Sequence, residues 1–64
     1  MTQDEIHLGL RFRNMDGRYT GTVSRVSRSR KGRLRRFWAR WDNDPSGGEA
    51  EHMPEDAEYL TELA

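Results

Sequence analysis

Ile6, Leu8, Leu10 and Phe12 alternate with His7, Gly9, Arg11 and Arg13 without a break. Successive side chains of a strand point to opposite faces, so this period of two predicts a half-buried strand over Ile6–Phe12 with those four apolar residues inward. The whole chain has 64 residues, so that strand has to find its partners within one small domain. A domain of this size buries only about 60% of the surface its unfolded chain exposes. There is no cysteine, so neither disulfides nor thiolate zinc ligands stand in for a core. The few large apolar residues must supply it.

Further strand and turn signals follow at short intervals. "NMDG", Asn14–Gly17, reads as a tight turn, because Asp-Gly supplies the positive-φ positions such turns use. "RYTGTVSRV" is rich in β-branched and aromatic residues. Gly21 inside it predicts a bulge or sharp bend. Val23 and Val26 are three apart, and a bulge near Ser24–Arg25 brings both to the core. "SRSRKG", Ser27–Gly32, is the expected hairpin tip. "RLRRFWARW" is the third strand, with Phe37, Ala39 and Trp41 inward and Leu34, Arg36, Trp38 and Arg40 outward. "DNDPSGG" is a turn cluster, and "EAEHM" a short fourth strand with Ala50 and His52 on one side. "PEDAEYLTELA" allows a helix with a stripe of Ala57, Leu60 and Leu63, or one helical turn over "PEDAE" followed by a closing strand, Tyr59–Leu63. The second is preferred, because a short sheet needs its edge covered.

The order of a first strand, a "YTGTV" strand, a long hairpin, an "RWDND" strand end and "MPEDAEYL" near the terminus resembles the SH3-like small β-barrels, KOW and Tudor-type domains among them. The resemblance covers nearly the whole chain and implies an all-β fold: a small, bent, five-stranded barrel over residues 6–64, a short helical turn near the C-terminus, and residues 1–5 as an N-terminal tail. Its members bind RNA, DNA, large assemblies or peptides, and fold alone does not choose among these.

Charge is laid out in blocks. Residues 11–40 hold all eleven basic residues against one acid, Asp16, a net of +10. Residues 41–64 hold eight acids and no Lys or Arg, and the first ten residues hold Asp4 and Glu5. The formal total is zero. Such asymmetry points to a polyanionic partner for the basic part, to neutralisation within one fold, or to pairing between chains. No apolar run approaches the roughly 20 residues of a membrane span. The acidic start lacks the cationic region of a secretory signal. With no cysteine either, a cytoplasmic setting and no membrane partner are expected.

The basic stretch carries the leading functional expectation. Arg25, Arg28, Arg30, Lys31, Arg33, Arg35, Arg36 and Arg40 are suited to phosphates, with release of counterions. Trp38, between Arg36 and Arg40, is suited to stacking on a base. The expected function is non-enzymatic binding of DNA or RNA by the hairpin, in a regulatory or architectural role. The alternative is a protein-interaction module docking through its charged faces, with self-association a third outcome. "SRSR" is too short to mark a phosphorylated Arg-Ser tract. His7 and His52 with scattered carboxylates make a poor metal site. No Ser-His-Asp set or Gly-rich phosphate loop is present, so no cofactor and no catalysis are expected. Tyr19, Trp38, Trp41 and Tyr59 are the rings available for an aromatic cage, with core packing the more ordinary use.

Overall fold

A computed structural model describes residues 1–63. Its strands are β1 (Arg11–Asn14), β2 (Thr20–Arg28), β3 (Leu34–Trp41), β4 (Glu49–His52) and β5 (Leu60–Glu62). They form one antiparallel sheet in the order β4-β3-β2-β1-β5. The all-β class and the five strands are as expected. A 3-10 turn, Pro54–Tyr59, carries the chain from the β4 edge to the β5 edge. Proline at its start lacks only an N–H that the first turn leaves unbonded, which suits it to that place. The last segment is thus one helical turn and a closing strand, with β5 pairing β1.

One face of the sheet carries the core. Phe12 from β1, Val23 from β2, Phe37 and Ala39 from β3 and Leu60 from β5 are buried, joined by Ile6, Leu10 and Ala57 from the connecting segments. Val26 and Trp41 pack against them. The register slips between Val23 and Arg25 on β2, leaving Ser24 as the extra residue. That is the expected bulge, and it turns both valines to the core.

The alternation at the N-terminus misleads at one position. Leu8 is 69% exposed. Strand pairing starts only at Arg11; before it, Leu10 N–H donates to His7 O at 3.1 Å and closes a turn, with Gly9 at φ +86°. Gly9 N–H donates to Val23 O, and Val23 N–H to Leu10 O. Two residues therefore face one, the bulge that glycine's positive φ permits, and Leu8 is thrown outward on the turn.

Leu34 is the converse case. Expected on the outer face, it is 3% exposed. Arg36 pairs with Ser27 and Leu34 with Arg28, so Arg35 is a second extra residue. This slip puts Leu34 on the inner face, where it caps the core beside the hairpin.

Gly21 is neither bulge nor bend. It pairs regularly with Phe12 on one side and Trp41 on the other. A Cβ there would lie 2.8 Å from Phe12 Cζ and 3.0 Å from Arg40 O. Glycine leaves room for the Phe12 ring to lie across the strand.

Residues 1–5, expected as a tail, are docked on the sheet domain. Gln3–Glu5 form a 3-10 turn closed by Glu5, whose carboxylate accepts from Thr2 N–H and hydroxyl, both at 2.9 Å. The Met1 ammonium donates to Ala57 O at 3.0 Å and Leu60 O at 2.6 Å.

Candidate nucleic-acid interface

The outer face of β2, β3 and β4 holds four of the nine expected polyanion-binding residues, Arg25, Arg36, Trp38 and Arg40, and all four are already engaged within the chain. Arg25 and Trp38 are cross-strand partners. The bulge at Ser24 lets Arg25 lie over the indole, its Cζ 4.3 Å from the ring centroid. Arg25 also donates to Glu49 at 2.7 Å, and Ser24 hydroxyl donates to the same carboxylate at 2.7 Å. Trp38 faces outward as expected, but Arg25 covers it and leaves it half-buried. Arg36 pairs with Glu51 at 3.1 Å. Arg40 donates to Gly47 O. At one edge of the face, Arg11 donates to both oxygens of Asp42 at 3.0 and 2.8 Å. The basic and acidic blocks meet here through the antiparallel pairing of β3 with β4, where Arg40 lies opposite Glu49 and Trp38 opposite Glu51.

Arg28 serves the fold in another way. It donates to Ile6 O at 2.7 Å, Gln3 O at 3.1 Å and Gly32 O at 2.9 Å. One guanidinium thereby fastens the N-terminal turn to the hairpin.

The hairpin tip differs. Ser29 N–H donates to Arg33 O at 2.8 Å, Gly32 N–H to Ser29 O at 2.9 Å, and Gly32 has φ +81°. The tip is thus Ser29–Gly32, shorter than Ser27–Gly32 because β2 runs on to Arg28. Arg30, Lys31, Arg33 and Arg35 are exposed, and among the described residues their side chains make no hydrogen bond or ion pair. Lys31 and Arg33 border an open hollow of about 630 Å³ with Ser29, Gly32, Leu34, Gln3 and Asp4. Among the described residues that border it, Asp4 is the one carboxylate.

A second feature lies at the other end of the hairpin. Trp41, Tyr59, Met15, Leu60, His52, Asn14, Asp16 and Asp56 line an open groove of about 460 Å³. A smaller hollow of about 340 Å³ adjoins it through Asn14 and Trp41 and adds Tyr19, Asn43 and Asp44. Met15, Tyr19 and Tyr59 are 70%, 42% and 54% exposed. Three of the four rings named for a cage thus gather here, while Trp38 sits on the opposite face of the sheet. The sequence carried a faint signal of it: "MDGRY", "WDND" and "EDAEY" each set an apolar ring or methionine close to aspartate in a turn.

His52 belongs to this groove's floor. Its ring stacks on Phe37 at 5.1 Å. Trp41 Nε1 donates to His52 Nε2 at 3.2 Å, and Nδ1 lies 3.2 Å from Asp56 Oδ2. An indole N–H only donates, so Nε2 is the acceptor and Nδ1 carries the hydrogen toward Asp56. Both ring nitrogens are engaged. Among the described residues no cluster of three or more His, Asp or Glu side chains is placed to hold a metal.

Hydrogen-bonded carboxylates of the domain are held below their ordinary pKa. Two bonds from Arg11 and one from Thr20 hydroxyl at 2.5 Å hold Asp42 at about 2, below its ordinary 3.8. Ser24 and then Arg25 lower Glu49. Ser46 hydroxyl and N–H lower Asp44. No helix among the described residues is long and apolar enough to cross a membrane. No protein-family model, curated protein or solved structure was found to match the chain.

Proposed function

We propose that this protein is a non-enzymatic, SH3-like small β-domain of the cytoplasm that binds nucleic acid through the tip of its β2–β3 hairpin. The observation that carries the reading is the contrast among its cations. Arg30, Lys31, Arg33 and Arg35 lack partners within the described chain, whereas Arg25, Arg28, Arg36 and Arg40 each hold a carboxylate or carbonyl of the fold. The interface is therefore the tip rather than the whole ribbon from Arg25 to Arg40. Strand order and the 3-10 turn before β5 support the fold assignment.

The chemistry of the tip suits phosphates rather than bases. Guanidinium and ammonium groups on a turn meet a backbone of repeating negative charge, and such contacts position a protein without reading sequence. Base stacking on Trp38 first requires Arg25 to leave the ring. The proposed binding is thus electrostatic and indifferent to sequence. The rival reading, docking through the acidic 49–58 segment, is less favoured because Glu49 and Glu51 are engaged by Arg25 and Arg36.

The test is fluorescence anisotropy with duplex DNA, single-stranded DNA and RNA of mixed sequence across a salt series. Four phosphate contacts correspond to a slope of log affinity against log salt near −3.6 on duplex DNA, at about −0.9 per contact. The three arms decide which nucleic acid is preferred. No binding in any arm at ~50 mM salt, where such contacts are strongest, overturns the proposal.

A further inference from the structure

We propose that the groove around Trp41 and Tyr59 receives the hairpin tip of a second copy of this chain, so that the protein associates head to tail. Among the described residues, the groove and its adjoining hollow are bordered by Asp16, Asp44 and Asp56, and by no Lys or Arg. Trp41, Tyr59, Tyr19 and Met15 supply apolar walls. Ring faces attract cations, and arginine lays its flat guanidinium on them while carboxylates take its N–H groups. Acid-rimmed aromatic walls therefore suit an arginine or lysine side chain held at the end of a narrow turn.

The chain itself presents such side chains. Arg30, Lys31 and Arg33 stand on a two-stranded turn without partners in the described residues. They cannot reach the groove of their own molecule. β2 runs from Thr20, next to groove residue Tyr19, to Arg28, next to tip residue Ser29. Eight steps of about 3.3 Å put the two features roughly 25 Å apart, along a molecule 34 Å in its longest dimension. The attraction is satisfied only between molecules. Groove and tip are different patches, so the contact is heterologous: each pair still offers one free tip and one free groove, and growth continues past the pair, as a ring where the rotation closes and as an open chain where it does not. The contact is small and rimmed by charge, which makes it weak and salt-sensitive.

The test needs no nucleic acid, so its outcome is separate from that of the binding proposal above. Sedimentation velocity is run over rising protein concentration in low salt and in ~0.5 M salt, where charges are screened within a few ångströms. Two variants accompany the wild type. Asp16→Asn with Asp44→Asn removes charge from the groove while keeping the oxygens that accept from Arg18 N–H and Ser46 N–H, so those turns persist. Arg30→Ser, Lys31→Ser and Arg33→Ser removes three cations whose side chains make no bonds among the described residues. Circular dichroism checks that each is folded; Tyr59→Ser replaces the groove variant if it is not.

The expected result is concentration-dependent growth of the wild type in low salt, lost in high salt. Each variant alone stays monomeric. Their mixture forms a pair that grows no further, because it has one intact tip and one intact groove. A wild type that stays monomeric up to about 1 mM, the weak end of specific contacts, overturns the proposal. So does growth that survives in either variant, or a mixture that remains monomeric. Uptake of an arginine-rich peptide by the groove, with no self-association, also overturns the choice of a second copy as occupant.

Discussion

Arg25 lies with its guanidinium carbon 4.3 Å from the centroid of Trp38 while its Nη2 donates to Glu49 at 2.7 Å. Three strands are tied by that one side chain, since Arg25 is on β2, Trp38 on β3 and Glu49 on β4. A cation so placed is part of the sheet's outer surface. Replacing Arg25 with Ala uncovers the indole. Acrylamide quenching of tryptophan fluorescence is expected to rise and stability to drop by about 0.5–1 kcal/mol, the scale of an exposed cation–π contact. Quenching equal to that of the wild type counts against the cover.

The four cations at the end of the hairpin, without partners among the described residues, make a different prediction. Replacing Arg30, Lys31 and Arg33 with Ala should lower the salt slope on duplex DNA by about 2.7, three contacts at roughly 0.9 each. The melting temperature should stay within the range of neutral surface changes. Replacing Arg25 and Arg36 instead should lower the melting temperature and leave most of the slope. If the second pair of changes reduces the slope more than the first set, the interface lies on the strand face and not at the tip.

Leu8 and Leu34 exchange the places that alternation assigns them. Leu34→Ala should destabilise the fold by about 2–5 kcal/mol, the cost of truncating a buried leucine. Leu8→Ala should be neutral within about 0.5 kcal/mol. Urea denaturation of both variants measures this, and equal losses would contradict the register slip at Arg35.

Gly21 is placed to test the close approach of Phe12. Gly21→Ala sets a methyl 2.8 Å from Phe12 Cζ and 3.0 Å from a backbone oxygen. Overpacking of this kind costs about 1–3 kcal/mol. Gly21→Ala with Phe12→Leu should recover part of that loss relative to Phe12→Leu alone. Strictly additive losses would show that the two sites do not meet.

Acid weakens the contacts that the hydrogen-bonded carboxylates make. Asp42 titrates at about 2 in the fold, and Glu49, Asp44 and Glu5 are lowered as well. A carboxylate whose folded pKa is depressed adds stability that is present above its unfolded pKa, near 4, and is lost as pH falls through the folded value. For Asp42 the loss spans about pH 5 to 2. Melting temperature should therefore fall across this window. Asp42→Asn should melt lower than wild type at pH 7 and show a shallower fall. An identical pH profile in the variant would remove Asp42 as a cause.

Several features were legible in the residues themselves. Strand positions from Thr20 to Trp41, the Asn14–Gly17 turn, the bulge that carries Val23 and Val26 inward and the helical turn at Pro54 each follow from local chemistry: β-branched residues, glycine and aspartate in turns, proline at a first helical position. The exposure of Leu8 and burial of Leu34 were not legible, because both depend on extra residues in a ladder, and a slip of one residue reverses which side a side chain faces.

The charge blocks show the same division. Sequence alone determined that a basic stretch precedes an acidic one, because that is a matter of order along the chain. Which cations are engaged by the fold and which remain available was decided by strand pairing. β4 lies beside β3, so Glu49 and Glu51 come within reach of Arg25 and Arg36, while the hairpin carries Arg30, Lys31, Arg33 and Arg35 past the end of that short partner strand. Coulomb attraction between exposed groups is largely screened beyond about 8 Å at physiological salt, and only the folded chain sets distances on that scale.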